Sequence, residues 1–143
     1  MRPIYKRGSK TSPVYEARTR DVVVRVRADY EPGQSDPLEN RYFWTYTVEI
    51  ENHGAETVQL VSRRWEITDA RNRREVVSGA GVVGEQPILK GREAFRYVSG
   101  CPLDTPSGAM RGAYQMITND GDVFEAEIPE FSLHLPGAAK ALN

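Results

Sequence analysis

Strict two-residue alternation, repeated in short stretches between turn signals, constrains this chain more than any other feature. Tyr42, Trp44, Tyr46, Val48 and Ile50 alternate with Phe43, Thr45, Thr47, Glu49 and Glu51. Successive side chains of a strand point to opposite faces, so this pattern predicts a strand with one apolar, aromatic face. Val22, Val24 and Val26 alternate with Val23, Arg25 and Arg27 in the same way. Asn52-His53-Gly54 is a turn, because Asn and Gly tolerate positive φ. Val58 and Leu60 share one phase, and Val61, Trp65 and Ile67 share the other. A phase flip within one strand predicts a bulge near Leu60 to Arg63, since one added residue reverses the inward face. Further strands are expected at Glu75 to Val77, around Phe95 and Tyr97, from Met110 to Thr118, at Phe124 to Ile128, and at Phe131 to Leu135 after Pro129. Asn119-Asp120-Gly121-Asp122 reads as a hairpin turn.

Seven or eight short strands are counted this way, with no capped stretch of helical period. The fold class expected is an all-β antiparallel sandwich or barrel. At 143 residues the chain has the length of one domain. Hydrophobic residues make up 39% and charged residues 27%, the balance of a globular chain rather than a disordered one. No apolar run reaches the length of a membrane span. Met1 to Arg20 holds six Lys or Arg and one Glu, and is read as a mobile leader or as an arm that binds nucleic acid or a partner. Residues 21–135 form the expected domain, and Pro136 to Asn143 a loose tail. The start lacks the apolar core of a secretory signal, and Cys101 is the single cysteine, so a cytoplasmic setting is expected.

Several clusters are candidates for chemistry. Gly79-Ala80-Gly81-Val82-Val83-Gly84 fits G-x-G-x-x-G. That pattern holds a pyrophosphate when it follows a strand and opens a helix. Here Pro87 follows and no helical pattern begins, so a glycine-rich connection is expected, or a rigid loop offering Val82 and Val83 to a partner. Arg63-Arg64-Trp65, followed by Arg71, Arg73 and Arg74, is basic and aromatic. Trp65 and Ile67 are expected in the core, with the arginines paired to Glu66, Glu75 or Glu85. The sharper alternative joins Arg64 to the Gly81–Gly84 loop as a site for an anionic or phosphorylated ligand. The candidate binding residues are therefore Arg64, Trp65, Gly79, Gly81, Val82, Val83 and Gly84.

Cys101, His53 and His134 stand apart in sequence, so no metal site and no cofactor are expected, and Glu39, Asp120 and Asp122 fit turns. Cys101 lies in a proline- and glycine-punctuated stretch read as a loop, Ser99 to Gly108, and is expected to be a plain thiol rather than a nucleophile. Asp104 to Gly108 is explained by turn chemistry. A net charge of −1 argues against nucleic acid as a partner.

The stretches Ser99 to Met116, Gly81 to Pro87 and Ile128 to Leu135, with Tyr42-Phe43-Trp44 and Arg63-Arg64-Trp65, resemble the ApaG (CorD) family. The resemblance covers about Val22 to Leu135. It implies an immunoglobulin-like or fibronectin type III-like β-sandwich. It also implies a link to cobalt resistance and magnesium efflux, and a neighbourhood of diadenosine tetraphosphate metabolism. The similar domain of eukaryotes is attached to an F-box protein and to a polymerase-associated protein, which implies protein–protein contacts. The function expected is a non-enzymatic interaction module with an unidentified protein partner. The competing expectation is a binder of a nucleotide or other phosphorylated small molecule, or an enzyme acting on one.

Overall fold

The computed structural model describes residues 12–137. Among them it contains nine strands, two short 3-10 turns and no α-helix, so no helix is long and apolar enough to cross a membrane. The strands are β1 (Tyr15–Thr19), β2 (Val22–Tyr30), β3 (Tyr42–Asn52), β4 (Val58–Asp69), β5 (Arg74–Ala80), β6 (Ile88–Leu89), β7 (Ala94–Leu103), β8 (Gly108–Thr118) and β9 (Val123–Leu133). Two antiparallel sheets face each other as a sandwich. One has the order β1-β2-β3-β7 and the other β5-β4-β8-β9, with β6 beside β4.

The alternation in β3 is the backbone of the core. Trp44, Tyr46, Val48, Ile50 and Asn52 are all buried, and the residues between them are not. Val22, Val24 and Val26 of β2 join them from the same sheet. From the opposite sheet come Leu60, Trp65, Tyr114, Met116, Ile128 and Phe131. Trp65 packs edge-on against Tyr46 at 5.2 Å and against Phe131 at 5.9 Å between ring centroids. Such T-shaped pairs contribute about 0.5–1.5 kcal/mol each beyond the area they bury.

The phase flip in β4 is a bulge. The register with β8 shifts between Leu60 and Ser62, which leaves Val61 as the extra residue. Four expectations need correction. The leader read over residues 1–20 is structured from Tyr15, because β1 pairs with β2 and lies against β9, with the Glu127 N–H donating to Thr19 Oγ1 at 2.9 Å. Residues 1–11 lie outside the described residues, as does the tail from residue 138. Ser99 to Leu103 is strand rather than loop, and Cys101 pairs with Trp44 in the middle of a continuous register. Glycine and proline suit this edge: a Cβ on Gly100 would come 2.2 Å from the Phe43 ring. The two strands expected on either side of Pro129 are one strand, β9. Its register with β8 shifts where Pro129 and Glu130 oppose Arg111, and a bulge is where a strand tolerates proline. The strand count is nine, because β1 and the two-residue β6 carry too little pattern to be seen.

Candidate functional site

The glycine-rich motif splits between a strand and a turn. Gly79 lies in β5, opposite Arg63 of β4. A Cβ there would come 2.9 Å from the Arg63 guanidinium nitrogens, so glycine at this position makes room for that side chain. Arg63 Nη1 donates to the carbonyls of Ala80 at 3.0 Å and Gly81 at 2.8 Å. Gly81 follows at φ +62, where a Cβ would come 2.2 Å from the Glu85 carbonyl oxygen. Only glycine fits there without moving backbone.

Val82 to Glu85 close a tight turn. The Val82 N–H donates to Glu85 O and the Glu85 N–H to Val82 O, both at 2.8 Å. The central residues, Val83 and Gly84, have φ of 42 and 81. Positive φ at both central positions is the signature of a type I′ turn, which favours Asn-Gly. Val83 is thus a β-branched residue in the left-handed region, a rare and costly placement. It is 54% exposed, whereas Val82 is 1% exposed and belongs to the core. The expectation that both valines face a partner is corrected: Val82 anchors the turn and Val83 alone is presented.

The turn is braced from below. The Gly81 N–H donates to Val61 O at 2.8 Å, and Gln86 Nε2 donates to the same carbonyl at 2.9 Å. Gln59 Nε2 donates to Gln86 O at 3.1 Å. The bulge at Val61 turns that carbonyl toward the glycine loop, so the β4 phase flip and the turn form one construction.

Arg64 goes elsewhere. It shares the outer face of its sheet with Glu66, to which its Nη1 donates at 2.8 Å. Arg74 and Arg111 reach the same carboxylate at 3.3 and 3.1 Å. Arg64 first, then Arg111, hold the Glu66 carboxyl below its ordinary range. The structure therefore does not bring Arg64 to the Gly81–Gly84 loop. Arg63, one residue earlier and in phase with Trp65, occupies that place. Anion sites need free backbone N–H groups; within this loop those of Gly81, Val82 and Glu85 are bonded within the protein, which leaves the two at the tip of the turn, Val83 and Gly84. Arg73, further along, bridges Asp69 and Asp104 at 2.7 Å each.

Arg63 also faces a cluster of hydroxyls between the sheets. Tyr97 and Tyr114 share a buried hydrogen bond through their hydroxyls. Burial pushes the ionisation of Tyr114 and Tyr97 well up, and that of Tyr46 up to a lesser degree, while the charge of Arg63 opposes the rise at all three. Burial likewise pushes the Cys101 thiol up to about 12. These are neutral hydroxyls and a neutral thiol at pH 7, the opposite of an activated nucleophile. His53 bonds Glu51 at 2.7 Å, and His134 Nδ1 bonds Ser132 at 2.8 Å. Among the described residues no three His, Cys, Asp or Glu side chains form a metal-binding group.

Comparison with known proteins fits this architecture. The ApaG domain model matches residues 32–118, which span β3 to β8 and the whole braced turn. The chain belongs to the ApaG family. It is 67% identical over 138 residues to Protein ApaG of Caulobacter vibrioides, covering 96% of this chain and 98% of that protein. Protein ApaG of Beijerinckia indica is 54% identical over 130 residues, covering 91% of this chain and all of that one. A crystal structure of an ApaA protein from Bordetella pertussis superposes with a TM-score of 0.81 at 47% identity, covering 82% of this chain and 96% of that one. The ApaG domain of this chain thus shares its sandwich with an experimentally determined relative.

Sequence reasoning missed Arg63 and the strain at Val83. The signal for Arg63 was its phase: a charged residue in step with Trp65 points inward and must find acceptors there. Val83 gives no such signal without knowledge of the turn type.

Proposed function

We propose that this ApaG domain is a non-enzymatic protein-interaction module, and that the Val83–Gly84 turn is its contact point. The observation that carries the proposal is Val83 itself, an apolar β-branched residue held at φ 42 and left 54% exposed. A residue in such a conformation persists when the surrounding structure over-determines it, and strain of this kind clusters at functional sites. The bracing by Arg63, Val61 and Gln86 supplies that determination. A rigid turn loses little conformational entropy on docking, and a lone exposed apolar side chain on it suits a pocket on a partner.

Several features support the non-enzymatic part of the proposal. The buried hydroxyls and the Cys101 thiol are neutral, and the loop amides of Gly81, Val82 and Glu85 are bonded within the protein. The cobalt and magnesium phenotypes implied by the ApaG resemblance are then indirect, with transport carried by a partner protein. A reducing cytoplasm suits its single thiol.

The test uses the full chain as bait in extract of the producing bacterium, with Val83→Asn and Val123→Asn as parallel baits. Val123 is a similarly exposed valine, 52%, far from the turn in sequence. A protein retained by wild type and Val123→Asn but lost with Val83→Asn supports the contact. Equal retention by all three refutes it. Thermal unfolding with ATP, diadenosine tetraphosphate, Co²⁺ and Mg²⁺ tests the competing function. A ligand at 100 times its Kd would stabilise the fold by about 2.7 kcal/mol, and a nucleotide shift of that size would replace the module by a ligand-binding protein.

A further inference from the structure

The first sheet ends on β7, and the direction of its unpaired backbone groups follows from ladder parity. The Asn52 N–H donates to Glu93 O, and the Glu31 N–H donates to Phe43 O, both at 2.9 Å. Antiparallel strands exchange their bonds at alternate pairs. Even-numbered residues of β3 therefore bond β7, and odd-numbered ones bond β2. With Ile50 opposite Phe95 and Val48 opposite Tyr97, the odd-numbered residues of β7 are bonded to β3. The N–H and C=O groups of Ala94, Arg96, Val98 and Gly100 point away from the sheet. Pro102, which has no N–H to leave unpaired, falls in the same row.

Of the other sheet edges, two cover each other and β5 is occupied at its two ends, with Val76 in between 48% exposed. β1 and β9 cover each other, through Thr19 and Glu127 and through the Arg20–Asp122 ion pair at 2.7 Å. On β5 the Ala80 carbonyl is taken by Arg63, and the Arg74 side chain by Glu66. β7 has none of these devices. Its pairing with β3 runs unshifted from Ala94 to Leu103, it contains no lysine, and Val98 in its middle is 54% exposed. A long edge of unshifted register, interrupted by proline only near its end at Pro102, is a template for another strand. Arg96 lies in the same outward row as Val98. Glu49, opposite it, bonds Arg25, and Arg96 has no carboxylate partner among the described residues.

We infer that β7 takes up an extended segment of a partner protein as a fifth strand of its sheet, with an acidic side chain beside Arg96 and an aliphatic or β-branched one beside Val98. This deepens the interaction-module proposal and uses a different surface from Val83. Backbone hydrogen bonds would supply the affinity and the two side-chain positions the selectivity, the general mode of strand addition. A second copy of β7 fits less well. Two-fold pairing about Val98 sets Arg96 beside Gly100 and leaves its charge without a partner.

The test is amide hydrogen exchange by NMR on the full chain. The probe is a synthetic peptide of the β3 sequence Thr45 to Glu51, which already presents Glu49 to Arg96 from the other side. Excess peptide is expected to slow exchange at Arg96, Val98 and Gly100 at least tenfold, with Phe95 and Tyr97 unchanged. A peptide with Lys in place of its Glu49 is expected to protect less, and Arg96→Glu protein to reverse that preference. Val98→Pro, which removes an outward N–H, is expected to lose the protection. No slowing at the three amides overturns the inference, as does protection at Val76 and Ser78 of β5 instead. Protection that rises with protein concentration alone assigns the edge to a second copy and overturns it too. Val83→Asn leaves β7 intact, so the peptide result stands whether or not the turn is a contact.

Discussion

Replacing Val83 by Asn should make the protein more stable while removing its proposed contact. Two opposing terms set the size of the effect. A β-branched residue in the left-handed region is disfavoured by about 1–2 kcal/mol, and Asn tolerates that region far better. With Gly84 following, the substitution gives the dipeptide that type I′ turns prefer. Against this stands lost burial. Full burial of a valine contributes about 1.5–3 kcal/mol; Val83 is 54% exposed, and the part of it that is covered includes backbone. The loss is therefore about 0.5–1 kcal/mol. The net expectation is a stabilisation of about 0.5–1 kcal/mol, or roughly 2–3 °C in Tm for a domain of this size. Urea unfolding monitored by tryptophan fluorescence measures it, provided the m-value is unchanged. Val83→Ala separates the terms, since it keeps most of the backbone penalty and loses the same packing, and it should be no more stable than wild type. A Val83→Asn protein destabilised by more than about 1 kcal/mol would mean that packing at the turn outweighs strain.

Other consequences are as specific. Gly81→Ala adds a left-handed penalty of about 1–2 kcal/mol and sets a Cβ 2.2 Å from Glu85 O, so urea unfolding should show a loss of about 3 kcal/mol once the backbone shift is included. Tyr114→Phe leaves the buried Tyr97 hydroxyl unbonded at a cost of about 1–3 kcal/mol; the double variant with Tyr97→Phe should lose less than the two single losses added, and strict additivity would contradict the paired-hydroxyl geometry. Cys101, with its thiol pushed up to about 12, should resist a disulfide exchange reagent at pH 8 while folded and react promptly in denaturant; prompt labelling of the native protein would contradict its burial. His53 first, then Arg25, hold the Glu51 carboxyl below its ordinary range. A lowered carboxylate stabilises the fold above its unfolded pKa of about 4.3 and loses that contribution as pH falls through the folded value. The stability gap between wild type and Glu51→Gln should therefore close below about pH 4.

Much of the fold was legible because its central strand is unambiguous. The aromatic alternation of β3 defines both its inward face and its phase, and the flip around Val61 located a bulge without any structure. What stayed hidden follows from the same physics. β1 is short and mostly polar, and becomes a strand because β2 and β9 need cover, which is a tertiary cause. Gly100 and Pro102 are turn signals in isolation; on an edge strand one lies under the Phe43 ring and the other has a missing donor that faces outward. Pro129 sits at a bulge for a comparable reason. In the candidate site, the glycine motif was legible as a special connection. The choice of Arg63 over Arg64 depends on which residue faces Gly79 across the β4–β5 register, and register is set by the turn between the strands. The exposure of Val83 and the burial of Val82 depend on turn type in the same way.

The central claim is that the Val83 turn touches a partner protein. The direct measurement is photo-crosslinking of the full chain in bacterial extract, with a photoreactive residue placed at position 83 and, separately, at position 123. A discrete adduct is expected from position 83, absent from position 123 and unaffected by added nucleotide. Irradiation that yields no adduct at 83, or the same adducts from both positions, would contradict it.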